Sequence, residues 1–119
     1  MNQDKRDDIL ARDNYTCQHC GATPGYSRLQ IAHRLGDNKR AMQHIEIFLF
    51  VNYEKVLTKK SIQDNIIDSP LDLVTTCAGA CNDAQNIFFK PIARDNLLRE
   101  IIEGQGISCL LSHRKKEWE

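Results

Sequence analysis

Two short stretches decide how this chain is read: Cys17-Gln18-His19-Cys20-Gly21 and, much later, Cys77-Ala78-Gly79-Ala80-Cys81. Each is a turn that presents two thiols to one point, and two such turns supply the four soft ligands of a tetrahedral zinc site. Four thiolates leave no open coordination position, so the ion they predict is structural Zn²⁺, held by Cys17, Cys20, Cys77 and Cys81. The second pair has three intervening residues rather than two, and His19 is an alternative ligand in place of one cysteine. Gly21 provides the positive φ that a knuckle needs after its second cysteine. The fifth cysteine, Cys109, is left over as an inert thiol.

Outward from these turns the chain reads as an α+β domain spanning 1–119. Ile9, Leu10 and Ala11 among charges predict a short helix over Asp4 to Arg12. Leu29-Gln30-Ile31-Ala32-His33 alternates apolar and polar, which predicts a strand ending at His33, with Gly36-Asp37-Asn38 turning the chain. Met42, Ile45, Leu49, Tyr53 and Val56 recur at intervals of three or four, the period of a helix from Lys39 to Leu57. Ile47, Phe48, Phe50 and Val51 thicken that stripe and keep a strand between Ile45 and Val51 open as an alternative. Ser61 is a cap for a shorter helix through Ile62, Ile66 and Ile67 that stops before Pro70. Leu71 to Thr76 reads as a second strand leading into Cys77, Ala80 to Phe88 as a helix carrying Asn82 and Asn86 on one face, and Ala93 to Glu103 as a terminal helix. Residues 39–68 thus form a helical insert between the strands.

Lysine plus arginine and aspartate plus glutamate number sixteen each, so the net field offers no strong attraction to nucleic acid. Binding to DNA would rest on local clusters: Arg28, Arg34, Lys39 and Arg40 near the first strand, Lys59 and Lys60, or Arg114, Lys115 and Lys116. The opening lacks a signal-peptide pattern and no apolar run reaches the roughly 18 residues of a membrane span, which predicts a cytoplasmic protein with no membrane partner. Five cysteines in a reducing compartment favour metal over disulfides.

Four segments in order resemble the HNH endonucleases whose ββα-metal core sits between two zinc knuckles. They are Arg12-Asp13-Asn14-Tyr15-Thr16-Cys17-Gln18-His19-Cys20-Gly21, Leu29 to His33, Leu71-Asp72-Leu73-Val74, and Cys77 to Asn82. The resemblance covers about half the chain. It implies hydrolysis of DNA phosphodiester bonds, with His33 as the general base that deprotonates water and a Mg²⁺ or Mn²⁺ ion stabilising the developing charge. It places Asn82 at the last metal-ligand position, leaves Asn86 as a second oxygen donor, and sets Asp72 where the family has an asparagine that braces the histidine loop. The residue before the histidine, commonly a metal-binding aspartate, is Ala32 here, with Asp37, Asp72 and Asp83 as possible replacements. A second reading keeps the zinc scaffold as a catalytically inactive module that binds nucleic acid or protein. A homodimer through the apolar segment from Ile45 to Leu57 is compatible with either, and His44 and His113 read as surface residues.

Overall fold

A computed structural model describes residues 2–25 and 28–104. Helix α1 (Gln3–Arg12) is opened by Asn2, whose side chain accepts from the Lys5 backbone N–H at 2.8 Å, so an orphan donor of the first turn is satisfied. Strand β1 (Leu29–His33) pairs antiparallel with β2 (Leu73–Cys77), in a register that sets Leu29 opposite Cys77 and His33 opposite Leu73. The hairpin therefore has one end at the cysteines and the other at the histidine. Strand β2 starts later than expected because Ser69 to Leu73 is a turn, in which Asp72 N–H donates to the Ser69 carbonyl at 2.9 Å. Among the described residues no helix is long and apolar enough to cross a membrane.

Between the strands lie α2 (Lys39–Tyr53), α3 (Lys59–Ile62) and a single π-helical turn (Gln63–Ile67). Segment 45–51 is helical, which settles the strand alternative: Ile45, Phe48 and Leu49 are buried on one face, as a 3.6-residue period requires. Asn38 caps α2 through the Ala41 N–H at 2.9 Å, and Glu54 closes it in the left-handed region at φ 53°. The cap of α3 is Thr58 rather than Ser61, since the Ser61 N–H donates to Thr58 Oγ1 at 3.1 Å. The helix begins earlier than the apolar pattern alone suggests, which leaves Ser61 inside it.

Helix α4 (Ala80–Ala84) is shorter than expected. Its ladder ends because the Ile87 N–H turns away to the Arg34 carbonyl at 2.8 Å and the Phe88 N–H to Asn86 Oδ1 at 2.9 Å. Helix α5 (Pro91–Gly104) begins at Pro91, a residue suited to the first helical position because it has no N–H to leave unpaired. It runs alongside α2 in the same direction, through His44 with Asp95 (3.4 Å), the Arg99 guanidinium over the Phe48 ring (5.6 Å), and Tyr53 Oη donating to Glu103 (3.5 Å). His44 is thus half-buried, against Asp95 and the Phe48 and Phe88 rings, instead of lying free on the helix surface.

Leu35, Ile45, Leu49, Ile62, Ile66, Ile67, Leu98 and Ile101 belong to one buried cluster that joins the insert to α5. Ile9, Leu10, Leu29 and Leu73 are buried on the hairpin side, where α1 packs on both strands. Leu35, two residues beyond His33, ties the end of β1 to the helical core. His113, Cys109 and the basic cluster Arg114 to Lys116 lie outside the described residues.

Candidate functional site

The cysteine end of the hairpin is built by three local devices. Asn14 and Tyr15 both take positive φ (55° and 52°), reversing the chain out of α1. The Arg12 guanidinium donates to the Pro70 and Leu73 carbonyls at 2.8 and 2.6 Å, and the Thr75 N–H donates to Asp13 Oδ2 at 2.9 Å, so this Arg-Asp pair pins α1 to β2. Burial works against the Asp13 charge, but the hydrogen bonds from Arg12 and Thr75 hold its carboxyl below the usual range. The Gln18 N–H then donates to the Thr75 carbonyl at 2.9 Å, setting the first knuckle beside the second.

All four sulfurs of Cys17, Cys20, Cys77 and Cys81 lie within 4.8 Å of one another, and Cys20 Sγ is 3.9 Å from Cys77 Sγ. A tetrahedron with metal–sulfur bonds of about 2.3 Å has edges of about 3.8 Å, so the cluster fits an ion such as zinc. The cysteines are free thiols, not disulfides. The extra residue of the second pair is absorbed by Gly79 at φ +79°, after which Cys81 sits in the first turn of α4. His19, the alternative ligand, lies instead with Nδ1 3.5 Å from Gln85 Nε2. Burial opposes the charge on Cys17, yet the backbone N–H groups of Cys20, Cys77 and His19 bring its thiol down to about 6. Desolvation and the sulfurs of Cys20 and Cys17 push Cys77 up to about 11 and Cys81 up to about 12. Four adjacent sulfurs repel one another when ionised, so a cation among them would favour the thiolate forms.

At the other end, the His33 side chain is 15 % exposed, with Nε2 3.0 Å from Asp68 Oδ1 and Nδ1 3.8 Å from Asp37 Oδ2. The loop that follows is clamped from two sides. The Arg34 N–H donates to the Asp72 carbonyl at 2.9 Å and the Leu35 N–H to Asp72 Oδ1 at 2.7 Å, while the Arg34 carbonyl accepts from Ile87. Asp72 is fully buried and braces the histidine loop through its backbone. Burial pushes its carboxyl up to about 8, against the opposing pull of the Leu35 N–H and Arg34 and with added push from Asp68 and Asp37. Its second oxygen, Oδ2, is buried without a partner, so the site favours the neutral carboxyl over the carboxylate.

Gly36, at φ +84°, faces Asn86 closely enough that a Cβ there would lie 3.5 Å from Asn86 Nδ2. Beside this turn opens a cleft of about 400 Å³ lined by residues that include Gly36, Asn38, Arg40, Asp83 and Asn86. Arg40 lies over the Phe89 ring at 5.8 Å, Lys39 is exposed at the start of α2, and Arg34 is partly buried with its Nε unpartnered. Arg40 thus meets Asp83 and Asn86, more than forty residues further along the chain, at one opening. Asn82 is elsewhere: its Nδ2 donates to Gln30 Oε1 at 3.2 Å on the exposed hairpin surface.

Ala32 is buried and offers no ligand, and Asn86 Oδ1 already accepts from Phe88. The sulfur cluster is the sole tight group of three or more His, Cys, Asp or Glu donors among the described residues. A donor set for a hard cation is therefore not assembled around Asn82 and Asn86 as the structure stands. Asp68 carried no signal in the sequence, because it reaches His33 across 35 residues from the end of the π turn. No family model matches this chain, and no curated protein and no solved structure is significantly similar to it.

Two outcomes follow from this geometry. Cys81→Ser should lower zinc affinity and abolish the cooperative thermal melt, because metal binding contributes roughly 10 kcal/mol or more to small zinc domains; a normal melt monitored by circular dichroism, with zinc absent by metal analysis, contradicts the site. For Asp72 the native carboxyl titrates above its unfolded value of 3.8, so its contribution to stability is complete below that pH and is lost as pH rises toward about 8. Each pH unit in that window costs at most about 1.4 kcal/mol. Asp72→Asn removes the titration, and urea unfolding should show the variant gaining on wild type between pH 5 and about 8; parallel curves contradict the assignment.

Proposed function

We propose that this chain is an HNH-type endonuclease that hydrolyses DNA phosphodiester bonds, with His33 as general base, a structural Zn²⁺ on the four cysteines and Mg²⁺ or Mn²⁺ as the expected catalytic cofactor. The observation that carries the reading is the clamped loop: Asp72 holds the backbone directly after His33 at the open end of a hairpin whose other end is the sulfur cluster. A general base must be held in place, and the clamped loop does this for His33, whose side chain keeps 15 % of its surface exposed. The order strand, strand, helix, with α4 packed on both strands, is the order that the sequence resemblance implies. Arg40, which lines the cleft beside Gly36, is suited to a DNA phosphate, and Lys39 and Arg34 complete the basic set of this reading.

The binding-module reading is favoured by one observation, the buried Ala32 where an acid would serve. Supercoiled-plasmid nicking by zinc-loaded protein with added Mg²⁺ or Mn²⁺ separates the two. Wild type should nick, and His33→Ala, equally folded, should lose activity by about 100-fold or more. Absence of nicking by folded wild type on any DNA tested favours the binding module.

The same reading includes a homodimer through the outer face of α2, where Ile47, Phe50 and Val51 are 62, 62 and 69 % exposed at helical spacing and Val56 adjoins them. Two copies related by a two-fold axis would address opposite strands of a duplex. Sedimentation velocity should show a dimer for wild type and a monomer for Phe50→Asp; a monomeric wild type removes this part.

A further inference from the structure

The acid that touches the proposed base comes from the helical insert rather than from the strand that carries the histidine. We infer that Asp68 is a positioning residue that fixes His33 as the Nε2–H tautomer and leaves Nδ1 as its proton acceptor, an inference that rests on the nuclease reading for its catalytic consequence. Asp68 Oδ1 lies 3.0 Å from His33 Nε2 and also accepts from Gln63 Nε2 at 3.1 Å. An ionised carboxylate only accepts, so a ring nitrogen at that distance must carry the proton. On the other side, Nδ1 is 3.8 Å from Asp37, too far for a hydrogen bond, and the Asp37 side chain is 66 % exposed. The ring thus has one nitrogen hydrogen-bonded to Asp68 and one with no hydrogen bond among the described residues, which is the arrangement a general base needs.

The π turn is what makes this possible. Residues five apart on an α-helix are about 140° past a full turn and point to different faces. Here the Asp68 N–H closes an i to i+5 bond on the Gln63 carbonyl at 2.9 Å, and the two side chains come together at the same place. Such turns inside helices often sit at functional positions. Gln63 in turn holds the Asp68 carboxylate, whose side chain is 11 % exposed, in the orientation that meets the ring. A hydrogen bond of this kind sets which nitrogen of an imidazole is protonated, and losing it allows the wrong tautomer.

The test reads the tautomer directly, by two-bond ¹⁵N–¹H correlation of the histidine rings at a pH high enough for His33 to be neutral, with His33→Ala providing the assignment. Wild type should show His33 as the Nε2–H form. Asp68→Asn, nearly isosteric and checked for fold by circular dichroism, should lose that preference because its amide can donate to the ring, and plasmid nicking should fall by at least about tenfold. A wild-type Nδ1–H tautomer overturns the inference before any variant is made. Retention of the Nε2–H form in Asp68→Asn, or unchanged nicking despite its loss, overturns it as well. If the tautomer behaves as expected and neither protein nicks DNA, the assignment of Asp68 to His33 stands and the nuclease reading alone fails.

Discussion

Everything at the hairpin depends on the convergence of four sulfurs from two turns that the chain separates by nearly half its length. A two-stranded sheet is marginal in water by itself, and this one has α1 and α4 against it but no further strand among the described residues. Joining the turn before β1 to the turn after β2 closes a long loop, and in chain-entropy terms a long closure removes the most freedom from the unfolded state. The sulfurs mutually resist ionisation, as the high positions of Cys77 and Cys81 express, so the cluster suits a cation such as zinc that would offset their charge.

The fixed end of the hairpin matters because it defines the free end. Antiparallel register places Leu29 opposite Cys77 and His33 opposite Leu73, so a chain anchored at the cysteines delivers His33 at a known distance along the strand. Residues beyond that point lose the ladder and need other partners. Asp72 and Ile87 supply them to Arg34 and Leu35, and Leu35 then enters the helical core. The histidine is thus carried by backbone that is hydrogen-bonded on both edges, although it lies at a strand end where fraying is the ordinary expectation.

What was readable in the sequence was what repeats or pairs locally. Two cysteine pairs, the alternation from Leu29 to His33 and the spacing of Met42, Ile45 and Leu49 each declare themselves within a few residues, and the structure has those elements in those places. Boundaries shifted where a single cap or a tertiary bond intervened: Thr58 starts α3 early, and the Arg34 carbonyl takes the Ile87 N–H from the end of α4. The likeness to a nuclease motif singled out Asp72, which accepts from the Leu35 N–H, and it grouped Asn82 with Asn86, whereas the former faces Gln30 and the latter faces the cleft. Asp68 could not be read at all, since a helical pattern assumes 3.6 residues per turn and the contact exists only because one turn is wider.

That wider turn changes the meaning of the insert. A helical segment between two strands is topologically tolerable at a surface, and by sequence alone it looks like an addition to a smaller core. In the structure its apolar residues belong to the buried cluster that joins it to α5, and Asp68 at its end is the residue that touches His33. A π turn sacrifices regular helical hydrogen bonding, and Ile66 and Ile67 within it are completely buried, so the packing that holds it is also what holds Asp68 in place. Replacing the insert with a short loop would therefore remove the ring's hydrogen-bond partner together with the helical core, while leaving the sulfur cluster and the hairpin register to the knuckles and α1. The strand supplies the histidine, and the insert supplies its orientation.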